Sequence, residues 1–156
     1  MSEASAIEAL GKASTRSARL RLAAALVFCA LNALVFSASA PEAHATPDSA
    51  EYLRTGFEFI DGHLRTLDWR LPGYGVFLAP FLNSGGVNLP ALVAAQTLLA
   101  LGGALLAQQT YDQLVGKRGI AVLLLSLFGI GTVTACQTIM TEALFSCVIT
   151  AHCYFT

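Results

Sequence analysis

Residues 19–40 read RLRLAAALVFCALNALVFSASA, and this stretch decides the fold. Arg19 and Arg21 abut a run, 22–40, that contains no charged side chain. The hydrocarbon core of a bilayer takes about 20 residues of α-helix, so the run predicts a membrane-crossing helix. Lys12 and Arg16 add to the basic residues ahead of it, and such residues stay on the cytoplasmic side. Residues 1–19 are therefore expected to form a cytoplasmic N-terminal tail. A basic stretch, an apolar stretch and then Ala38-Ser39-Ala40 also fit a cleavable signal peptide. The run is longer than the usual apolar part of such a peptide, and more apolar runs follow, which favours a retained span.

Working outward, the composition agrees with lipid as the solvent. Of 156 residues, 55% are hydrophobic and 12% charged, against about 25% charged in soluble domains. A net charge of −1 offers no field for nucleic acid. Cys29, Cys136, Cys147 and Cys153 form no C-x-x-C pair. They read as buried thiols behaving as small apolar side chains, not as a metal site or a disulfide frame.

Residues 41–88 form the long polar segment and are expected to be an outer loop. Asp48-Ser49-Ala50-Glu51 has the spacing of a capping box, with Asp48 at the N-cap. From there Leu53, Phe57 and Ile60 recur at helical spacing, with Glu51, Arg54, Glu58 and Asp61 opposite. This pattern predicts an amphipathic helix lying along the membrane interface and ending at Asp61-Gly62. Trp69-Arg70-Leu71-Pro72-Gly73-Tyr74 and the apolar residues to Leu82 are too short to span. They predict a second interfacial or re-entrant helix, anchored by Trp69 and Tyr74 and stopped by Asn83-Ser84-Gly85-Gly86. A second span is expected over about 89–109, started by Pro90 and rich in small residues that let helices approach closely. Lys117 and Arg118 after it suit the cytoplasmic side again.

Between Gly119 and Thr156 the only charged side chain is Glu142. Drawn as one helix at about 1.5 Å per residue this segment would reach roughly 57 Å, while the apolar core is about 30 Å thick. A helical hairpin is expected, with spans near 119–135 and 141–156 and an outer turn between Gly131 and Thr141. The last span ends early, as it would in the N-terminal piece of a longer chain. The fold class is thus all-α, a polytopic membrane bundle of about four spans with two interfacial helices in the first outer loop.

Ionisable groups in or beside spans are costly and tend to mark function. Asp48 could serve as a general base on an acceptor hydroxyl at the outer interface, or it could simply cap the helix that follows. Arg70 could clamp a phosphate at headgroup level, or snorkel to lipid phosphate or Asp68. Glu142 could orient a substrate or bind a divalent metal, or act as a helix-start acid favoured by the macrodipole. His44, His63 and His152 have no paired spacing that suggests metal ligands. Gln96, Gln108 and Gln109 read as interhelical hydrogen-bond partners.

The order of these pieces resembles a known family. A basic start and a span lead to Pro47-Asp48-Ser49-x-x-Tyr52-Leu53. Arg70-Leu71-Pro72-Gly73-Tyr74-Gly75 and Val76-Phe77-Leu78-Ala79-Pro80-Phe81 follow. Ala94-Ala95-Gln96, Gly116-Lys117-Arg118 and Thr141-Glu142-Ala143-Leu144-Phe145 complete the series. Over residues 20–156 the chain resembles the N-terminal part of the GT-C glycosyltransferases. Within these it is most similar to bacterial members of the protein-mannosyltransferase and aminoarabinose-transferase superfamily. The resemblance implies an inverting transfer of a sugar from a polyprenyl-phosphate carrier to an acceptor glycan, lipid or protein, at the outer face of the cell (inner) membrane. It implies that Asp48 is the catalytic base or a substrate-orienting acid. Arg70, Glu142 and Tyr74 would be substrate-binding residues. Ser49 stands where many relatives have a second acid. Relatives also carry more spans and an outer C-terminal domain. A competing reading is a non-enzymatic membrane transport or assembly subunit, which needs spans but no base.

Overall fold

The computed structural model describes residues 3–63, 73–116, 119–139 and 141–155. Its architecture is all-α: seven α-helices, two short 3-10 turns and one two-residue β-hairpin among the described residues. Helix α1 runs from Glu3 to Ala38. The expected N-terminal tail is helical from Glu3, because Ala, Glu, Leu, Lys and Arg dominate it and all propagate a helix well. The part of membrane-crossing length and hydropathy is Thr15–Ala38.

Helix α4, Leu89–Val115, is the second helix long and apolar enough to cross a membrane. Asn88 caps it, its side chain accepting from the Ala91 N–H at 3.3 Å, and Pro90 lies in the first turn. It continues past the expected end near residue 109. The stop comes at Gly116, whose φ of 67° is the left-handed conformation glycine adopts at helix ends.

The segment expected to be a third span is broken, and the last helix is the short arm that the sequence predicts. Helices α5, Ile120–Phe128, and α6, Ile130–Gln137, meet at a 49° bend and form a broken span or a re-entrant loop. Gly129 makes the break with an extended backbone. Thr132 Oγ1 then donates to the Ser126 carbonyl at 2.8 Å, satisfying an acceptor near the break. Helix α7, Glu142–Phe155, is 14 residues long, short of a span. Two helices thus have spanning length, or three if the bent pair counts as one. The chain turns between Thr138 and Thr141, within the window the composition predicts.

Arg21, in the middle of α1, pairs with Asp112 near the end of α4 at 3.1 Å, while Phe36 near the end of α1 shares a cavity wall with Pro90 at the start of α4, so these helices run antiparallel. Gln96 lies against Thr138, and Gly103 against Cys147, so α4 and α7 descend side by side in the same direction. A Cβ on Gly103 would sit 3.3 Å from Cys147 Cα; the small residue permits this approach. One apolar cluster joins Ala24, Phe28, Ala104, Leu123, Leu127 and Cys136. A second joins Tyr74, Leu78, Leu92 and Ile139, flanked by Tyr52 and Leu53.

The segment after α1 forms a 3-10 turn, Pro41–His44, and then helix α2, Ser49–Ile60. Helix α2 matches the predicted amphipathic helix, but its predicted apolar face is divided. Ser49, Tyr52, Leu53 and Gly56 turn inward, whereas Phe57, Phe59 and Ile60 stay exposed. Helix α3 covers Gly73–Leu78 among the described residues and is continued by a 3-10 turn, Ala79–Phe81. A hairpin of β1, Leu82–Asn83, and β2, Gly86–Val87, replaces the expected simple stop. Helices α2 and α3 touch backbone to backbone: a Cβ on Gly75 would fall 2.5 Å from Thr55 Cγ2. Of the four free cysteines only Cys136 is fully buried; Cys29 and Cys147 are half-buried and Cys153, in the last turn of α7, is exposed.

Candidate functional site

Several buried polar side chains gather around one short piece of chain, Ala135 to Ile139, where α6 ends, and Asp48, Tyr74 and Glu142 lie close to them in sequence or through one bond. A helix end leaves carbonyls without intrahelical donors. Here side chains from three other elements supply them. The His44 ring Nδ1 bonds the Gln137 carbonyl. Gln96 Nε2 on α4 lies 2.9 Å from the Thr138 carbonyl and 3.4 Å from that of Ala135. Ser49 Oγ, in the first turn of α2, donates to the Ile139 carbonyl at 3.2 Å. The Ile139 N–H donates to the His44 carbonyl at 2.9 Å. Gln137 Nε2 then reaches α1, donating to Asn32 Oδ1 at 2.8 Å and to the Asn32 carbonyl at 3.1 Å.

Asp48 immediately precedes α2 and is exposed. Its side chain makes no capping bond, contrary to the capping-box reading. The reason is that the first turn begins earlier. Ser49 N–H donates to the Thr46 carbonyl at 3.0 Å, and Ser49 Oγ accepts from Thr46 N–H at 2.7 Å. Asp48 therefore already has helical angles, φ −81° and ψ −16°, where an N-cap residue would be extended.

Glu142 opens α7 as an exposed first-turn acid, as predicted. It stands on the edge of a cavity of about 450 Å³ between α4, the α5–α6 pair and α7. Gly103, Thr132, Ala135, Ser146 and Cys147 line its walls. Asp48 and Glu142 thus lie at one end of the helices, on either side of the Thr138–Thr141 turn. Ser49, next to Asp48, bonds Ile139, and Glu142 follows three positions later.

Tyr74 is 3% exposed, so it is no interface anchor. Its hydroxyl accepts from Gln96 Nε2 at 3.1 Å, and its ring stacks on Phe77 and meets Tyr52 edge-on. A partner on α4 satisfies the polar tip, and aromatic packing holds the rest inside. Arg70, Trp69 and Pro72 lie outside the described residues.

No family model, curated protein or solved structure matches this chain.

Other expectations divide. Gln96 is an interhelical hydrogen-bond partner, as predicted. Gln108 is buried yet its amide makes no hydrogen bond, and Gln109 is exposed. No group of three or more His, Cys, Asp or Glu side chains is arranged for a metal ion among the described residues. His44, Asn32 and Gln137 escape a search for ligand spacing because each acts on a backbone or amide group. The available signal is that Asn32 and Gln137 interrupt apolar stretches, where an amide needs a partner.

Proposed function

We propose that the chain is a membrane glycosyltransferase, or the front part of one, using a polyprenyl-phosphate sugar. In this reading α1, α4, the α5–α6 pair and α7 make up four crossings, the last incomplete, and the N-terminus is cytoplasmic. Helix α2 rests on the outer interface with Phe57, Phe59 and Ile60 toward lipid. Asp48 is the base that takes the proton of an acceptor hydroxyl as the hydroxyl oxygen attacks the anomeric carbon. The carbon–phosphate-oxygen bond breaks in line, the configuration inverts, and the lipid phosphate departs. Arg70 offers a planar cation to that leaving phosphate. Glu142 orients the acceptor or carries a divalent metal, and Tyr74 supports the substrate side through Gln96.

The observation that carries this reading is the joint between Ser49 and Ile139, which keeps the Asp48 and Glu142 helix starts together. A carboxylate at the outer end of an apolar bundle is where a base for such a transfer would sit, with the second acid beside it to orient the acceptor. The transport or assembly reading draws instead on the cavity beside Glu142. The test is sugar transfer by the full-length protein from a polyprenyl-phosphate donor. Asp48→Asn keeps the shape but cannot accept the proton, so turnover should fall by about 10²-fold or more, the usual scale for a general base. Undiminished turnover removes Asp48 from catalysis. Solute binding with no dependence on the lipid carrier would favour the subunit reading.

A further inference from the structure

We infer that His44 is a positioning residue: it locks the segment ahead of α2 to the turn between α6 and α7, and so fixes how Asp48 and Glu142 face one another. The catalytic consequence rests on the transferase reading above; the lock does not.

The lock has three bonds between segments more than 85 positions apart in sequence. The His44 ring bonds the Gln137 carbonyl, the last of α6. A carbonyl only accepts, so Nδ1 must carry the proton. The His44 carbonyl receives the Ile139 N–H at 2.9 Å, and Ser49 Oγ reaches the Ile139 carbonyl at 3.2 Å. His44 is 2% exposed, and its ring lies 5.0 Å, centroid to centroid, from that of Phe36 near the end of α1. The lock is anchored again by Gln137, whose amide holds Asn32 of α1. Asp48 is one residue from Ser49 and Glu142 three from Ile139. Little slack separates either acid from the lock. The imidazole thus ties the 3-10 turn ahead of α2 to the end of α6.

Three substitutions separate the parts. His44→Asn keeps a donor at the position of Nδ1. His44→Phe keeps an aromatic ring on Phe36 without the donor. His44→Ala removes both. The separation of α2 and α7 is read in the full chain by pulsed electron resonance. Labels are carried on ketone-bearing phenylalanine analogues at Phe59 and Phe145, both exposed, which leaves the native cysteines untouched. Wild type and His44→Asn should give a single narrow distance; His44→Phe and His44→Ala should lose it. In the transfer assay kcat should drop for His44→Phe with KM unchanged, and His44→Asn should restore it, because alignment rather than binding is altered. If His44→Ala does not fold, His44→Phe stands in for it. A narrow distance retained in His44→Phe overturns the lock. A lost distance with kcat unchanged overturns the catalytic consequence alone. If the wild type transfers no sugar, the transferase reading fails and the distance measurement still decides the lock.

Discussion

Replacing Gln96 with Leu tests how the α6 end is held, and the contacts allow the effect to be sized. Gln96 is 1% exposed. Its Nε2 serves Tyr74 Oη at 3.1 Å, the Thr138 carbonyl at 2.9 Å and the Ala135 carbonyl at 3.4 Å. Leucine nearly conserves volume, so the loss is one of hydrogen bonding. A buried group left unsatisfied costs about 1–3 kcal/mol in water-soluble proteins. Interhelical bonds in a membrane protein average nearer 0.6 kcal/mol and reach about 1.7. Thr138 is half-buried and the Ala135 contact is long, so both count at the low end. Gln96→Leu should cost about 2 kcal/mol and Tyr74→Phe about 1. The Tyr74 bond is lost in both, so the double variant should fall short of the sum by about 1 kcal/mol. Unfolding in mixed micelles, driven by the anionic detergent fraction and followed by helical circular dichroism, measures all four proteins. Additivity to within about 0.5 kcal/mol would refute a Gln96–Tyr74 bond.

Gly75→Ala places a Cβ 2.5 Å from Thr55 Cγ2 and 2.6 Å from Thr55 Cβ, an overpacking expected to cost about 1–3 kcal/mol. In the same unfolding experiment Thr55→Ser should recover only part of this, because Cβ remains. Asp112→Ala should destabilise more than Arg21→Ala. Both remove a part-exposed ion pair worth about 0.2–1 kcal/mol, but Asp112 also accepts from the Gly119 N–H at the turn into α5. Equal effects would mean that this turn needs no acceptor.

Features that depend on local composition were legible in the sequence. Residues 22–40 and the run after Pro90 are long, apolar and uncharged, and both are long helices. The Gly131–Thr141 window announces a turn that the chain does use, whereas α4 runs past its expected end near residue 109 to Gly116. The misreadings share a cause, which is tertiary competition for the same groups. Asp48 has the spacing of a cap, but Thr46 and Ser49 exchange bonds ahead of it and Asp48 takes helical angles without a capping bond. Tyr74 has the amphipathic character of an interface residue, but Gln96 on α4 satisfies its hydroxyl and draws the ring inside. The predicted apolar face of α2 is divided: Leu53, with Tyr52 beside it, packs inward next to Gly56, whose lack of a side chain permits the close approach to α3, while Phe57, Phe59 and Ile60 stay on the outside. Of the candidate site, the two exposed acids could be read from position alone. The links between their helices could not, because no periodicity relates His44 or Ser49 to residues some ninety positions away.

Most of the buried polar side chains of this apolar chain gather where the backbone is least able to satisfy itself. An unbroken helix needs no help from side chains, since each N–H finds a carbonyl four residues back. Where α6 stops, several carbonyls lose that partner in surroundings poor in water, and each would carry a large penalty if left alone. His44, Gln96 and Ser49 supply donors there, and Asn32 holds Gln137 in turn. Extending α6 into α7 would have met the same need with apolar residues only. The break is retained, and its consequence is geometric: it admits the start of α2 against the turn and sets Glu142 at the head of a new helix. The bonds that make the break tolerable are the same bonds that bring Asp48 and Glu142 to one end of the molecule. Removing any one donor should therefore disturb stability and the spacing of the two acids together, whereas mending the helix break should leave stability intact and separate the acids.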